Sequence, residues 1–261
     1  MVVVVGTNLM TSVDGFLASK ISTVIAKTKK TTLTHGATPT DTRQYDLVIV
    51  GGGSAGLTAA KLAGGTLKKS VVIIEQGRLG GDCTWTGCVP SKSFIASARM
   101  AHHSIGRKKR PILASLSSPQ PVDFQSVKQR YLEHMQLIYT KDDSPEALAR
   151  FHVDTLQGKA TLISPKTVQV NQDIHVTAKE GIILCTGATP KRPSIPGLDT
   201  VSYLTYEEVW ELDELPKRLT IIGGGPVKYS MDRVVLRPEP ICGMYLSLTF
   251  NFSVLLFTSF S

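Results

Sequence analysis

The sequence predicts an α/β chain built on a parallel sheet in three layers. Two observations carry this. Asp46-Leu47-Val48-Ile49-Val50, a short β-branched apolar run, leads into Gly51-Gly52-Gly53-Ser54-Ala55-Gly56 and then a helix-like segment, Leu57 to Leu67. A similar run, Leu219-Thr220-Ile221-Ile222, enters Gly223-Gly224-Gly225 far downstream. Continuous apolar runs of this length suit strands buried on both faces, as parallel strands are.

The first unit reads as Rossmann-like, with Gly-x-Gly-x-x-Gly between strand and helix. Gly51 is expected to make the tight turn, Gly53 to let a pyrophosphate approach the backbone, and Gly56 to let helix and strand pack closely. Ser54 and Ala55, within the same turn, count among the cofactor-binding residues, and the N-terminus of the following helix favours phosphate charge. A second strand, Val71 to Ile74, ends in Glu75, at the distance where a carboxylate accepts ribose hydroxyls.

Next comes Gly80-Gly81-Asp82-Cys83-Thr84-Trp85-Thr86-Gly87-Cys88-Val89-Pro90-Ser91-Lys92. Its cysteines are five positions apart. In a regular helix five residues rise about 7.5 Å, whereas a disulfide tolerates Cα atoms up to roughly 6.8 Å apart. A bridge therefore requires a bend, and Gly87 bends most cheaply. It would close so short a loop that it restrains little unfolded-chain entropy. A redox pair, a structural bridge, two unrelated thiols and half a zinc site all remain open readings. Against zinc, Cys185 and Cys242 are isolated and His102-His103 has no partner at matching spacing. Pro90 fits the first position of a helix continuing through Met100, where the dipole and Lys92 favour a thiolate. The glycine signature alone does not separate FAD from NAD(P). A disulfide just after the first nucleotide unit lies at the far end of an extended dinucleotide, where a flavin could exchange electron pairs with it.

Over roughly residues 44 to 227 the chain resembles the flavin-dependent pyridine nucleotide-disulfide oxidoreductases. The resemblance rests on Gly51 to Gly56, Glu75, Gly81 to Lys92, Gly158-Lys159-Ala160, Cys185-Thr186-Gly187-Ala188-Thr189-Pro190 and Ile195-Pro196-Gly197. Asp143 to Leu148 and the Val-Pro-Ser-Lys of the cysteine segment look closest to the mercuric reductase-like branch. The resemblance implies FAD as bound cofactor and NAD(P)H as hydride donor. It implies that Cys88 is the flavin-side cysteine, that Cys83 is the interchange cysteine attacking substrate, and that Lys92 lies beside the flavin ring. Glu75 would bind the adenosine ribose. Gly158, Thr186 and Gly187 would supply backbone contacts, and Gly81 and Asp82 further cofactor contacts. Asp82 and Trp85 stand where the family commonly has Thr and Asn. The implied partners are a small disulfide, a lipoamide-like compound or a metal ion, with a homodimer as the family's assembly. A non-catalytic FAD-binding or thiol-exchange module is the alternative.

Composition bounds the rest. The chain has 261 residues, 42% hydrophobic, with a net charge of +8. The densest basic cluster, Lys108-Lys109-Arg110, reads as a solvated turn. No aromatic interleaving suggests stacking on bases, which argues against nucleic acid. Residues 1–43 read as a leader, a transit peptide for a mitochondrion or plastid or else simply disordered, in which case the protein is cytoplasmic. Residues 44–215 read as the FAD-binding domain. Within it Phe124, Val127, Tyr131, Met135 and Ile138 follow helical spacing, Ser144-Pro145-Glu146 starts a helix, and Val153–Gln157, Ala160–Ile163 and Thr167–Val170 read as strands.

Residues 216–228 open a second, NAD(P)-binding unit. There Lys228 occupies the fingerprint's third small position, and Ser230 the place of the family's glutamate. The dimerisation domain with its His-Glu pair is expected to be missing, so little NAD(P)H turnover is expected of this chain alone. Residues 229–261 resemble nothing in the family. Ile241 to Phe260 has no charge, yet its period-two alternation suits a strand better than a membrane helix.

Overall fold

The computed structural model describes residues 2–4, 41–106, 123–190, 194–216, 218–222 and 255–259. The strands are β1 (Val2–Val4), β2 (Asp41–Val50), β3 (Val71–Glu75), β4 (Val153–Gln157), β5 (Ala160–Ser164), β6 (Thr167–Val170), β7 (Ile174–Leu184), β8 (Arg218–Ile222) and β9 (Leu255–Ser259). The helices are α1 (Ser54–Lys61), running into a π turn at Leu62–Thr66, α2 (Gly81–Trp85), α3 (Cys88–Gly106), α4 (Phe124–Ile138), running into a π turn at Tyr139–Asp143, and α5 (Pro145–Ala149).

Seven strands form one sheet, in the order β4-β3-β2-β7-β6-β5, with β1 also paired to β7. The core β4-β3-β2-β7 is parallel, as the apolar runs predict. The edge differs from that expectation, because β5, β6 and the first half of β7 pair antiparallel. Strand β7 belongs to both parts. Ile174–Thr177 pairs with β6 and Ile182–Leu184 with β1, while β2 runs along its other side throughout.

Period-two alternation assigns the two faces. The odd-numbered Ile49, Val71 and Ile73 pack with Leu57, Ala60 and Ala63 of α1 and its π turn, and with Leu148 of α5. The even-numbered Val48, Val72 and Ile74 pack with Val168 and Val170 of β6 and Val176, Ala178 and Ile182 of β7. One face is therefore covered by helices and the other by the antiparallel edge. Val71, Val72, Ile73 and Ile74 are all buried for this reason.

Several boundaries move. The expected helix over Leu57–Leu67 begins three residues earlier, at Ser54, because the glycine turn leads straight into it. Ser144 caps α5 by accepting from the Ala147 amide, with Pro145 in the first turn, as the sequence predicts. Asp41–Arg43 belong to β2 and pair with Ile174–Val176, and Val2–Val4 form β1. The expected strand at Leu219–Ile222 lies in β8. Its partner is β9, antiparallel, from the tail. The remainder of the leader, the basic cluster at 108–110, the glycines at 223–225, Lys228, Ser230, Cys242 and residues 241–254 lie outside the described residues. No helix among the described residues is long and apolar enough to cross a membrane.

Ile73 has no solvent exposure and Leu162 of β5 has 46%. Ile73→Ala is expected to cost about 2–5 kcal/mol in urea denaturation, and Leu162→Ala under about 1 kcal/mol.

Candidate functional site

The parallel strands β4, β3, β2 and β7 all point their C-terminal ends at one cleft of about 260 Å³. This edge is where open α/β sheets bind ligands. Of the residues singled out from sequence, Gly51, Gly53, Ser54, Ala55, Glu75, Gly81, Asp82, Cys83, Gly158, Thr186 and Gly187 line it together. Gly56, Cys88 and Lys92 do not.

The glycines divide into two kinds. A Cβ at Gly56 would sit 1.9 Å from the Gly51 carbonyl oxygen, and one at Gly51, whose φ is +104°, 2.2 Å from that of Cys185. These two are required by the fold's own packing, which leaves Gly56 behind the cleft rather than in its wall. Gly53 is different. Its nearest neighbour across the space would be the Gly81 Cα at 3.9 Å, an ordinary contact. Nothing in the protein forbids a side chain there, so the bare backbone keeps cleft space open.

The amides of the first turn of α1 have no partner within the helix, and no acidic residue stands in that turn. The positive end of the helix therefore faces the cleft. Glu75 is held from both sides, with one carboxylate oxygen accepting from the Gly52 amide at 2.6 Å and the other from the Gly77 amide at 2.7 Å. Two backbone donors fix the carboxylate and leave it further acceptor capacity for a ligand. Gly158 follows β4 and donates its amide to the Glu75 carbonyl, which draws the β4–β5 turn to the cleft. Thr186 and Gly187 follow β7 and complete the opposite wall.

Cys83 lies within α2 and Cys88 opens α3, joined across Thr86-Gly87. Both are free thiols in the structure. They are close enough to interact. Gly87 makes the bend. A Cβ there would stand 2.7 Å from the Asp82 carbonyl oxygen, so its contribution is close approach. Helix α3 begins at Cys88 itself, two residues before the expected Pro90, because the Ser91 amide reaches back to the Gly87 carbonyl.

Cys83 is half-buried in the cleft wall, whereas Cys88 is exposed. Burial pushes the Cys83 thiol up, and the neighbouring Cys88 adds to this. The Ser54 hydroxyl and the Lys92 ammonium pull it down. At Cys83 desolvation thus outweighs the pull of the lysine. Lys92 itself is exposed on α3.

Among the lining residues that sequence reasoning did not assign to the site are Arg78 and Cys185. Arg78 is the only cation among the residues that line the cleft, against the carboxylates of Glu75 and Asp82. Its guanidinium stacks over the Trp85 ring, with Tyr139 beyond. Its place between Glu75 and the Gly80-Gly81 turn, both already assigned to the site, was the available signal. Cys185 is buried, and burial raises its thiol pKa.

Residues 45–228 match the family described as pyridine nucleotide-disulphide oxidoreductase. The chain is 33% identical over 187 residues to a mercuric reductase of Bacillus cereus, which covers 69% of this chain and 28% of that protein. It is 32% identical over 189 residues to a dihydrolipoyl dehydrogenase of Chlamydia pneumoniae, covering 71% of this chain and 39% of the relative. The chain thus spans less than half the length of these curated relatives. Among solved structures it resembles the HOCl-induced flavoprotein disulfide reductase RclA of Escherichia coli. The TM-score is 0.62 at 26% identity, over 77% of this chain and 41% of that one.

Lys92→Met removes a charge that pulls the Cys83 thiol pKa down, so the pKa should rise further. Since the thiolate is the nucleophile, alkylation of Cys83 by iodoacetamide at pH 8 should slow by about two- to fivefold, corresponding to a fraction of a pKa unit. Peptide-resolved mass spectrometry in a Cys88→Ser background reads the rate.

Proposed function

Because the chain belongs to the pyridine nucleotide-disulphide oxidoreductase family, we propose that it binds FAD along the cleft and uses Cys83 and Cys88 to relay an electron pair to a disulfide or a thiophilic metal ion. The family is FAD-dependent, with NAD(P)H as electron donor. The observation that carries the reading is Gly53. The fold has room for a side chain there, and the position is nonetheless bare at the mouth of a helix N-terminus.

The geometry supports a part for each residue that lines the cleft. Gly53 leaves room for a pyrophosphate against the backbone, and the first-turn amides of α1 meet its charge. Glu75, pinned by Gly52 and Gly77, accepts from ribose hydroxyls. Arg78 offsets the negative charge that the phosphates add to Glu75 and Asp82. Bound FAD would supply two-electron exchange between a nicotinamide and the thiol pair. Ser54 ties the phosphate-binding turn to Cys83 through its hydroxyl, so the cofactor cradle and the thiol share a residue. Thiol roles follow the family order, with Cys88 on the flavin side, supported by Lys92, and Cys83 meeting the substrate. Interchange proceeds by thiolate attack on a substrate sulfur through a mixed disulfide. NAD(P)H use, the substrate and a homodimeric assembly are properties proposed for the whole protein from its relatives.

Gly53→Val should abolish flavin retention while leaving the melting temperature within about 2 °C, since its side chain fills ligand space rather than protein space. Flavin content by absorbance after gel filtration and a thermal melt read the two. Full flavin content in this variant would refute the assignment. In Cys88→Ser, a stable mixed disulfide on Cys83 with a substrate disulfide checks the order of the thiols.

A further inference from the structure

The loop between the two cysteines is tied down at every residue that carries a side chain. Asp82, just before Cys83, accepts from the Tyr206 hydroxyl at 3.1 Å. Thr84 donates to Asp143 at 2.6 Å in a buried pair. Trp85 donates its indole N–H to the Leu79 carbonyl at 2.7 Å. The Thr86 carbonyl accepts the indole N–H of Trp210 at 2.8 Å. These ties hold the loop around the two thiols, which interact with each other.

Two of the ties come from one segment, Tyr203–Asp213, which crosses the start of α3. Trp210 is 7% exposed. Its ring packs against Tyr131, with centroids 5.7 Å apart, and Phe94, at 6.3 Å. The Tyr131 hydroxyl donates to the Trp210 carbonyl at 2.8 Å. Lys128 of α4 holds the far end by pairing with Asp213 at 2.8 Å. Burial pushes the Tyr206 hydroxyl well above the usual phenol range, and Asp82 adds to this, so Tyr206 remains a donor across the physiological range.

We propose that residues Tyr206 and Trp210 are positioning residues of the redox pair: their segment is an aromatic strap that fixes the Cys83–Cys88 loop in the conformation from which the disulfide closes. The inference rests on the redox reading above. Closing a disulfide in a free loop costs the entropy of ordering that loop. Here the ordering is carried by Trp210, Tyr206, Asp143 and the Leu79 carbonyl, in a protein already folded. The strap therefore raises the effective concentration of one thiol at the other. Removing one hydrogen bond while keeping the ring should loosen the loop and shift the thiol–disulfide equilibrium toward the dithiol.

The test is a redox titration of the full chain in glutathione and glutathione disulfide, read by mass spectrometry after thiol capping. In the oxidative direction one S–S bond forms between Cys83 and Cys88 and one breaks in glutathione disulfide. The two electrons and two protons lost by the protein appear on two glutathione thiols. Trp210→Phe and Tyr206→Phe are expected to lower the equilibrium constant for the protein disulfide by about five- to tenfold each, about what one lost hydrogen bond would produce. The control is Val168→Ala. Val168 is fully buried in the cluster on the other face of the sheet. This variant should lower the melting temperature and leave the constant unchanged. Wild-type constants in both strap variants would overturn the proposal, as would an equal shift in Val168→Ala. A wild-type chain that forms no Cys83–Cys88 disulfide at any glutathione ratio would instead overturn the redox reading beneath it.

Discussion

The architecture of the site depends on a steric constraint, the exclusion of Cβ atoms where three backbone segments meet. The turn after β2 is wedged against the end of β7, with a Gly51 Cβ position only 2.2 Å from the Cys185 carbonyl oxygen. The same turn meets the first turn of α1 at Gly56, at 1.9 Å. The Gly80-Gly81 turn closes from the third side, where a Cβ on Gly81 would stand 2.7 Å from the Gly53 Cα. A methyl group at any of these contacts separates elements whose packing brings α1's N-terminus, Glu75 and Cys83 to one cleft. Hydrogen bonds then lock the approach, including Gly80 N–H to the Gly52 carbonyl and Cys185 N–H to that of Val50. A bond of this kind contributes about 1 kcal/mol, less than the cost of forcing a side chain into backbone.

Much of this was legible in sequence because it is written in residue types with few alternative uses. Glycines at fixed spacing between two apolar runs, followed by Glu75, define a βαβ unit locally. The Phe124-to-Ile138 periodicity and the Ser144-Pro145 start were equally local signals, and both correspond to helices. Strand β7 was not legible. Its Ile174–Leu184 run is interrupted by Lys179, Glu180 and Gly181. Its first half alternates as an antiparallel strand does, and its second half is apolar as a parallel strand is. A strand that changes partners midway carries neither pattern for long enough to be read.

The strap was hidden for a different reason. Tyr203–Asp213 holds only a three-residue 3-10 turn, Val209–Glu211, and so has no periodicity. Its importance lies in where Tyr206 and Trp210 make hydrogen bonds, which only the folded chain reveals. The thiol environment was likewise inaccessible. Sequence places Lys92 near the cysteines, but the depth of Cys83 in the cleft wall, which pushes its thiol pKa up, depends on the folded chain. Arg78 could have been noticed between two assigned motifs, but its stacking on Trp85 depends on packing.

The ties on the cysteine loop also have a consequence in time. Thr84 reaches Asp143 across 59 residues of chain, and Asp82 and Thr86 reach Tyr206 and Trp210 across 124. Contacts of such separation form late, after the local helices and the first strand pairs. As the chain leaves the ribosome, Cys83 and Cys88 emerge long before the residues that hold their loop, and domains fold during synthesis from the N-terminal end. The nascent chain therefore carries both cysteines before the residues that tie their loop have been made. On the redox reading proposed above, the ties that favour Cys83–Cys88 pairing are complete only after Trp210 has been made.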